Sequence, residues 1–135
     1  MPNTEGSGVP YSVKHDPLLG IVEVTFTGLL SGADLREATT ECIALQKQTG
    51  ATRFLVDLNG SELGASTLDI YDLPDKQYGE EDLDIHSRIA VILPTTGKTR
   101  EAALFYEAAC RNRGWHTKVL PDRQSAIEWL KELSR

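Results

Sequence analysis

The sequence predicts an α/β domain whose mixed sheet of about five strands starts with an antiparallel hairpin and continues in parallel. Two observations carry this prediction. Short apolar runs recur along the chain, and helical patterns alternate with them and follow the last one. The runs are Ile21–Phe26, Phe54–Leu58, Ile89–Leu93 and Thr117–Leu120. Strands that alternate with helices in this way are typical of parallel pairing through right-handed crossovers.

The hairpin is predicted from its turn and from the polarity of its second strand. Tyr11–His15 and Ile21–Thr27 flank a segment that begins with Asp16-Pro17 and ends with Gly20, residues that favour a turn. In the second strand valine and phenylalanine alternate with glutamate and threonine. This alternation indicates one buried and one polar face, so we expect the hairpin at an edge of the sheet.

The first helix has clear boundaries. Ser31 is a candidate N-cap with Asp34 three residues later, and apolar residues recur at helical spacing over Gly32–Thr49. Gly50 is placed to end the helix in the left-handed conformation. The strand Arg53–Leu58 is almost continuously apolar, which predicts a central strand covered on both faces.

Residues 64–85 are the hardest segment to interpret. Ser66 or Thr67 could cap a short helix through Tyr71 that stops at Leu73-Pro74. The segment carries seven acids and one base, so two interpretations stay open: a solvated helix and loop, or an acidic docking surface with aromatic anchors. The acids are Asp69, Asp72, Asp75, Glu80, Glu81, Asp82 and Asp84, and the aromatic residues are Tyr71 and Tyr78.

The C-terminal half continues the alternation. A strand at Arg88–Leu93 leads into a helix from about Lys98 to Arg113, and Trp115–Leu120 forms the last strand. Asp122 is predicted to cap a final helix that buries an apolar stripe ending at Leu133.

Composition and charge exclude several classes of protein. A chain of 135 residues suits one domain, which we place at residues 10–135 behind a flexible polar tail over residues 1–9. Its 14 Lys and Arg residues against 20 Asp and Glu give a net charge of −6 without a basic cluster, which disfavours nucleic-acid binding. No apolar run approaches the roughly 18 residues of a membrane span. We therefore expect a cytoplasmic protein without stable membrane insertion.

The residues that could carry chemistry are sparse. Cys42 and Cys110 fall on apolar helix positions, where we expect buried thiols, and the isolated histidines show no metal-ligand spacing. Gly97-Lys98-Thr99 matches the end of a phosphate-binding loop, but the glycine needed five residues earlier is Ile92. Lys98 and Thr99 are therefore candidates only for a weak anion contact. We expect no catalytic set, metal or cofactor.

The segment from Asp57 to Leu68 carries a resemblance to a known family. The strand that runs into Asp57 is followed, nine residues after that aspartate, by Ser66 at a predicted helix start. This arrangement, with the element order from Tyr11 to Leu133, resembles the STAS domains of bacterial anti-sigma factor antagonists, and most closely the SpoIIAA-like branch. The resemblance implies about four helices, mostly on one face of the sheet. It also implies that Ser66 is a site of regulatory phosphorylation, while plain N-capping by Ser66 or Thr67 remains the alternative.

Three functions follow as hypotheses. The leading one is a non-enzymatic regulatory module that docks a protein partner, with a homodimer also expected; its candidate docking residues are Asp57, Asp69, Tyr71, Asp72 and Tyr78. The alternative is a small-molecule or lipid-binding domain with an apolar pocket between sheet and helices. Its candidate lining residues are Val22, Phe26, Phe54, Leu104 and Phe105. A third hypothesis is an enzyme that uses Lys98, His86 and His116 near the strand ends.

Overall fold

The structure, a computed structural model, describes residues 9–95 and 97–132. The predictions for the tail over residues 1–8 and for Leu133 lie outside these ranges. Along the chain the elements are β1 (Tyr11–Asp16), β2 (Ile21–Leu30), α1 (Gly32–Thr49), β3 (Arg53–Leu63), α2 (Thr67–Asp72), a π-helical turn (Leu73–Gln77), α3 (Tyr78–Glu80), β4 (Arg88–Ile92), α4 (Gly97–Asn112), β5 (His116–Leu120) and α5 (Arg123–Lys131).

One five-stranded sheet in the order β1-β2-β3-β4-β5 organises the described residues. β1 and β2 pair antiparallel with Val13 opposite Val24, and every later pair is parallel. The predicted mixed sheet with an N-terminal hairpin at its edge is confirmed. At the opposite edge the backbone N–H of Val119 donates to the Glu107 carboxylate of α4 at 2.8 Å.

The helices divide unequally between the faces of the sheet. The two-residue period of the strands places Val22, Phe54 and Ile89 on one face, where α1, the helical path from α2 to α3, and α4 cover them. Ile21 and Leu55 point to the other face, where α5 packs. The prediction of about four helices, mostly on one face, is confirmed.

β2 and β3 are longer than their apolar runs suggest. Thr27 to Leu30 pairs with Gly60 to Leu63, after a bulge between Thr25 and Thr27. The prediction that this strand spans only Arg53–Leu58 is therefore wrong, because β3 continues to Leu63. The added residues of β3 are mostly polar and exposed, but their backbones continue the ladder. Main-chain hydrogen bonding, which the pattern of polar and apolar side chains does not show, determines where β3 ends.

The helix after β3 does not stop at Leu73-Pro74, which corrects the predicted boundary. The π-helical turn carries the chain past Pro74 and into α3, with the N–H of Tyr78 donating to the carbonyl of Leu73. A wider turn tolerates the missing proline N–H, which an α-helix interior would not. The path ends at Asp82, which has a φ of 60°, and Leu83 N–H bonds the Tyr78 carbonyl at 2.9 Å.

Candidate functional site

Two helix starts lie side by side at the carboxyl ends of β2 and β3. Leu30 and Leu63 are paired in the sheet, and the N–H of Gly64 donates to the Leu30 carbonyl at 2.7 Å. α1 and α2 then begin with the same device, a serine hydroxyl that accepts an N–H bond from an aspartate three residues later. This edge of an open α/β sheet is where ligands and partners commonly bind.

Ser66 is the N-cap of α2. Its hydroxyl accepts from the Asp69 N–H at 3.1 Å, and the Asp69 carboxylate accepts from the Ser66 N–H at 3.0 Å. The Ser66 side chain and its neighbour Thr67 are exposed. The hydroxyl is thus both engaged in capping and open to solvent, while its phosphorylation stays a prediction.

Asp69 connects the two helix starts. Hydrogen bonds from Ser66 hold the pKa of the Asp69 carboxyl below its usual value, and the bond from the Ser66 backbone N–H has the largest effect. The Arg36 guanidinium of α1 lies 3.5 Å from the same carboxylate. The Asp69 carboxylate is therefore largely paired within the protein, and its charge is only partly available to a partner.

The other candidate docking residues do not form one surface. Asp57 lies within β3, where its carboxylate accepts from the Asn59 N–H at 3.0 Å. Tyr78 is only 6% exposed; its ring packs edge-on against Trp115 at 5.6 Å and its hydroxyl bonds that of Tyr106. The interpretation of Tyr78 as a docking anchor is wrong, because the π-helical turn carries it into the core.

Tyr71 and Asp72 remain at the surface, but both are partnered. The Arg113 guanidinium stacks 5.3 Å from the centre of the Tyr71 ring and bonds its hydroxyl. Arg113 also pairs with Asp75 at 2.7 Å, and Asp72 lies 3.9 Å from Lys76. These basic partners reduce the acidic character that the sequence suggests, since three of the seven acids, Asp69 included, are paired with a basic side chain.

Two exposed leucines at the same edge were not singled out by the sequence patterns. Leu29 is 67% exposed at the end of β2, and Leu68 is 64% exposed in the first turn of α2. Leu29 follows the predicted strand Ile21–Thr27, and Leu68 lies in the segment 64–85 that was left open between two interpretations. Leu29 lies against Gly64, two residues before Ser66, and Leu68 follows Ser66 by two residues, so both flank the start of α2, where a partner could cover them.

The two residues of the predicted anion contact, at the start of α4, lie in different environments. Lys98 is exposed, whereas Thr99 is only 5% exposed and lines an apolar cavity. Thr99 therefore has no access to an anion in solution, because its side chain points inward. The contact by Lys98 stays a prediction.

The groups considered for catalysis are unsuited or dispersed. Burial raises the pKa of the Cys42 thiol to about 12 and that of Cys110 to about 11, which suppresses the nucleophilic thiolate. His86 and His116 are exposed. In the described ranges no three His, Cys, Asp or Glu side chains come together as a metal site.

An apolar cavity of about 110 Å³ lies between the sheet and the helices on its main face. Phe26 and Phe54 line it, as the ligand-binding alternative predicts. Val22 does not line it, and Leu104 and Phe105 are 43% and 37% exposed on the outer side of α4. That part of the prediction is wrong because the apolar stripe of α4 is wider than the face it buries.

Comparison with solved structures shows a SpoIIAA-like fold. An uncharacterised DUF3478 protein with a SpoIIAA-like fold from Shewanella loihica PV-4 superimposes with a TM-score of 0.57 at 16% identity, over 89% of this chain and 93% of that one. The unphosphorylated anti-sigma factor antagonist SpoIIAA superimposes with a TM-score of 0.56 at 12% identity, over 91% of this chain and 99% of that one. At these identities the likeness establishes the architecture.

Comparisons by sequence add no relative. No family model matches the chain, and no curated protein matches it. Among the helices in the described ranges, none is both long and apolar enough to cross a bilayer.

Proposed function

We propose that the protein is a cytoplasmic regulatory module that docks a protein partner at the edge where α1 and α2 begin. We call this the cap surface and define it by Leu29, Ser66, Thr67, Leu68 and Asp69. The observation that carries the proposal is the exposure of Leu29 and Leu68, 67% and 64%, beside an exposed capping serine. Exposed apolar side chains with a polar border are typical of partner-binding surfaces. The shared fold with an anti-sigma factor antagonist supports it.

Phosphorylation of Ser66 would change this surface by charge. A phosphate adds about −1.5 to −2 charges. It would stand beside the Asp69 carboxylate, which accepts from the Ser66 N–H at 3.0 Å. The resulting repulsion would loosen the Ser66–Asp69 pair and reject an acidic partner, so Ser66 is proposed as the regulatory residue.

The test is partner capture with matched surface variants. Leu68→Asp places a charge on the cap surface. Ile85→Asp places the same charge outside that surface at a comparably exposed site, since Leu68 is 64% and Ile85 67% exposed. A partner purified from the host should be lost with Leu68→Asp and retained with Ile85→Asp. Equal capture by both variants would remove the cap surface from the proposal.

Self-association through β1 is the proposed route to a homodimer. The Thr27 N–H donates to the Pro10 carbonyl at 2.8 Å, so the alternation of antiparallel pairing turns the Val13 N–H away from β2. A second copy could pair there. Light scattering after gel filtration should give a dimer mass for the wild type and a monomer mass for Val13→Pro, which removes that N–H.

A second candidate function, binding of an apolar ligand, is favoured by the cavity. A void of about 110 Å³ costs on the order of 2–3 kcal/mol at about 24 cal/mol per Å³. That is a large share of a typical domain stability of about 5–15 kcal/mol. A ligand that fills the cavity would therefore recover much of the stability that the void costs. Native mass spectrometry of protein purified from its host should show a non-covalent adduct. A bare mass, with a solvent extract that contains no ligand, would argue against this candidate.

A further inference from the structure

We propose that the cavity is a binding site for a compact, ring-sized apolar molecule that carries one oxygen, such as a phenol, and not for an acyl chain. The proposal deepens the second candidate function and rests on it. Three features of the cavity carry it: its size, its lining and a pair of tyrosine hydroxyls in its wall.

Size sets the upper limit. The cavity has a volume of about 110 Å³. An engineered cavity of roughly 150 Å³ in another protein takes up benzene or xenon. A ring with one small substituent approaches the limit here, whereas a long acyl chain exceeds it several-fold.

The lining is mostly apolar and favours an apolar occupant. Side chains from β2, β3 and β4 form the floor, among them Val24, Phe54 and Val91, which are at most 4% exposed. Ile70 and Ala103 close the helical side and are 6% and 2% exposed. Water needs about two to four polar partners, and the few hydroxyl groups leave most of this lining without them, so an apolar molecule competes well.

The polar part of the wall provides specificity. Tyr78 and Tyr106 both line the cavity, and their hydroxyls bond each other. Only one of the two O–H protons can lie in that bond; with Tyr106 as the donor, the O–H proton of Tyr78 is left to donate to a further acceptor. An oxygen on the ligand would accept it.

The test measures the binding of benzene, phenol and oleate by calorimetry and by NMR chemical shifts. The wild type should bind both rings, with phenol favoured about tenfold, and should bind oleate weakly or not at all. Tyr78→Phe should retain benzene and lose the preference for phenol. Retained benzene binding shows that this variant still holds an intact cavity.

Two variants on α4 locate the site. Ala103→Leu fills the cavity from a wall position and should abolish ring binding, while Ala108→Leu makes the same change at an exposed position and should bind as the wild type does. Ring binding that survives Ala103→Leu would overturn the proposed location. Oleate binding without ring binding would overturn the ligand class and leave the second candidate function standing. No binding of any probe would overturn both.

Discussion

Gly32 and Asp69 are in such close contact that a β-carbon on residue 32 would lie 2.5 Å from the Asp69 carboxyl group. The first residue of α1 thus makes room for the aspartate that caps α2. The same carboxylate reaches Arg36, one turn further along α1. The spacing between the two helix starts is therefore set by the absence of a side chain, and the geometry of the cap surface depends on it.

Gly32→Ala should destabilise the protein by about 1–2 kcal/mol, because the added methyl group displaces Asp69 from the Ser66 N–H and from Arg36. Urea denaturation measures the loss. Gly79→Ala is the matched control, since nothing lies within 4 Å of a β-carbon at that helical position. It should be neutral or stabilising by up to about 1 kcal/mol. Equal effects of the two substitutions would contradict the role of Gly32.

Asp82→Gly should stabilise the protein by about 0.5–1 kcal/mol. Asp82 has a φ of 60°, in the left-handed region that favours glycine, and it ends the helical path that contains α3. Asp82→Ala should do the opposite, because it keeps the unfavourable conformation and loses the polar side chain that tolerates it. Midpoints of thermal unfolding that move in the same direction for both variants would refute this explanation.

Glu23→Gln should lower stability at neutral pH by about 1 kcal/mol. Glu23 accepts two hydrogen bonds from Arg123, at 2.6 and 2.7 Å, and these hold its pKa below the usual value of 4.5. Because the folded pKa is the lower one, the stabilisation is complete above pH 4.5 and is lost as the pH falls through the folded pKa. Urea titrations from pH 7 to pH 3 should show the two proteins converging at the acid end.

The double variant Glu23→Gln/Arg123→Gln separates the pair from its surroundings. If the two side chains stabilise the fold mainly through each other, the double variant should be little less stable than either single variant. Strict additivity of the two losses would show that they act independently.

Gln46→Leu should cost about 2–3 kcal/mol, which denaturant unfolding can measure. The Gln46 side chain is 5% exposed; its amide donates to the Ala51 carbonyl and the Ser87 hydroxyl at 3.0 and 2.9 Å and accepts from the Asp84 N–H at 2.9 Å. Leucine would leave these buried groups unpaired. Gln48→Leu, at an exposed position of the same helix, should change stability by less than about 0.5 kcal/mol.

Predictions from the sequence succeeded where local chemistry decides the structure. The serine caps, the left-handed Gly50 and the period-two strand patterns each depend on neighbouring residues, and the fold follows from their order. They failed where pairing with a distant strand or an irregular helical turn decides. The exposed end of β3 pairs because β2 offers it a ladder, and Tyr78 is buried because a π-helical turn rotates it inward.

The candidate site was anticipated in part for the same reason. Ser66 and Asp69 are recognisable from their spacing, since a capping box is a local pattern. Leu29 and Leu68 match ordinary core residues in sequence, and only the packing leaves them outside. The cavity is a property of how side chains from eight elements meet, which periodicity along the chain does not encode.

The bond from Val119 to Glu107 makes the two margins of the sheet unequal. The Glu107 carboxylate accepts, at 2.8 Å, from the backbone N–H of Val119, which a strand that paired with β5 would need. The carboxylate would also repel the backbone carbonyls of that strand. Two copies joined through β1, as proposed above, would each present a blocked margin outward, and the assembly would close as a pair. A single glutamate on α4 would thus decide between a finite dimer and an open-ended fibre.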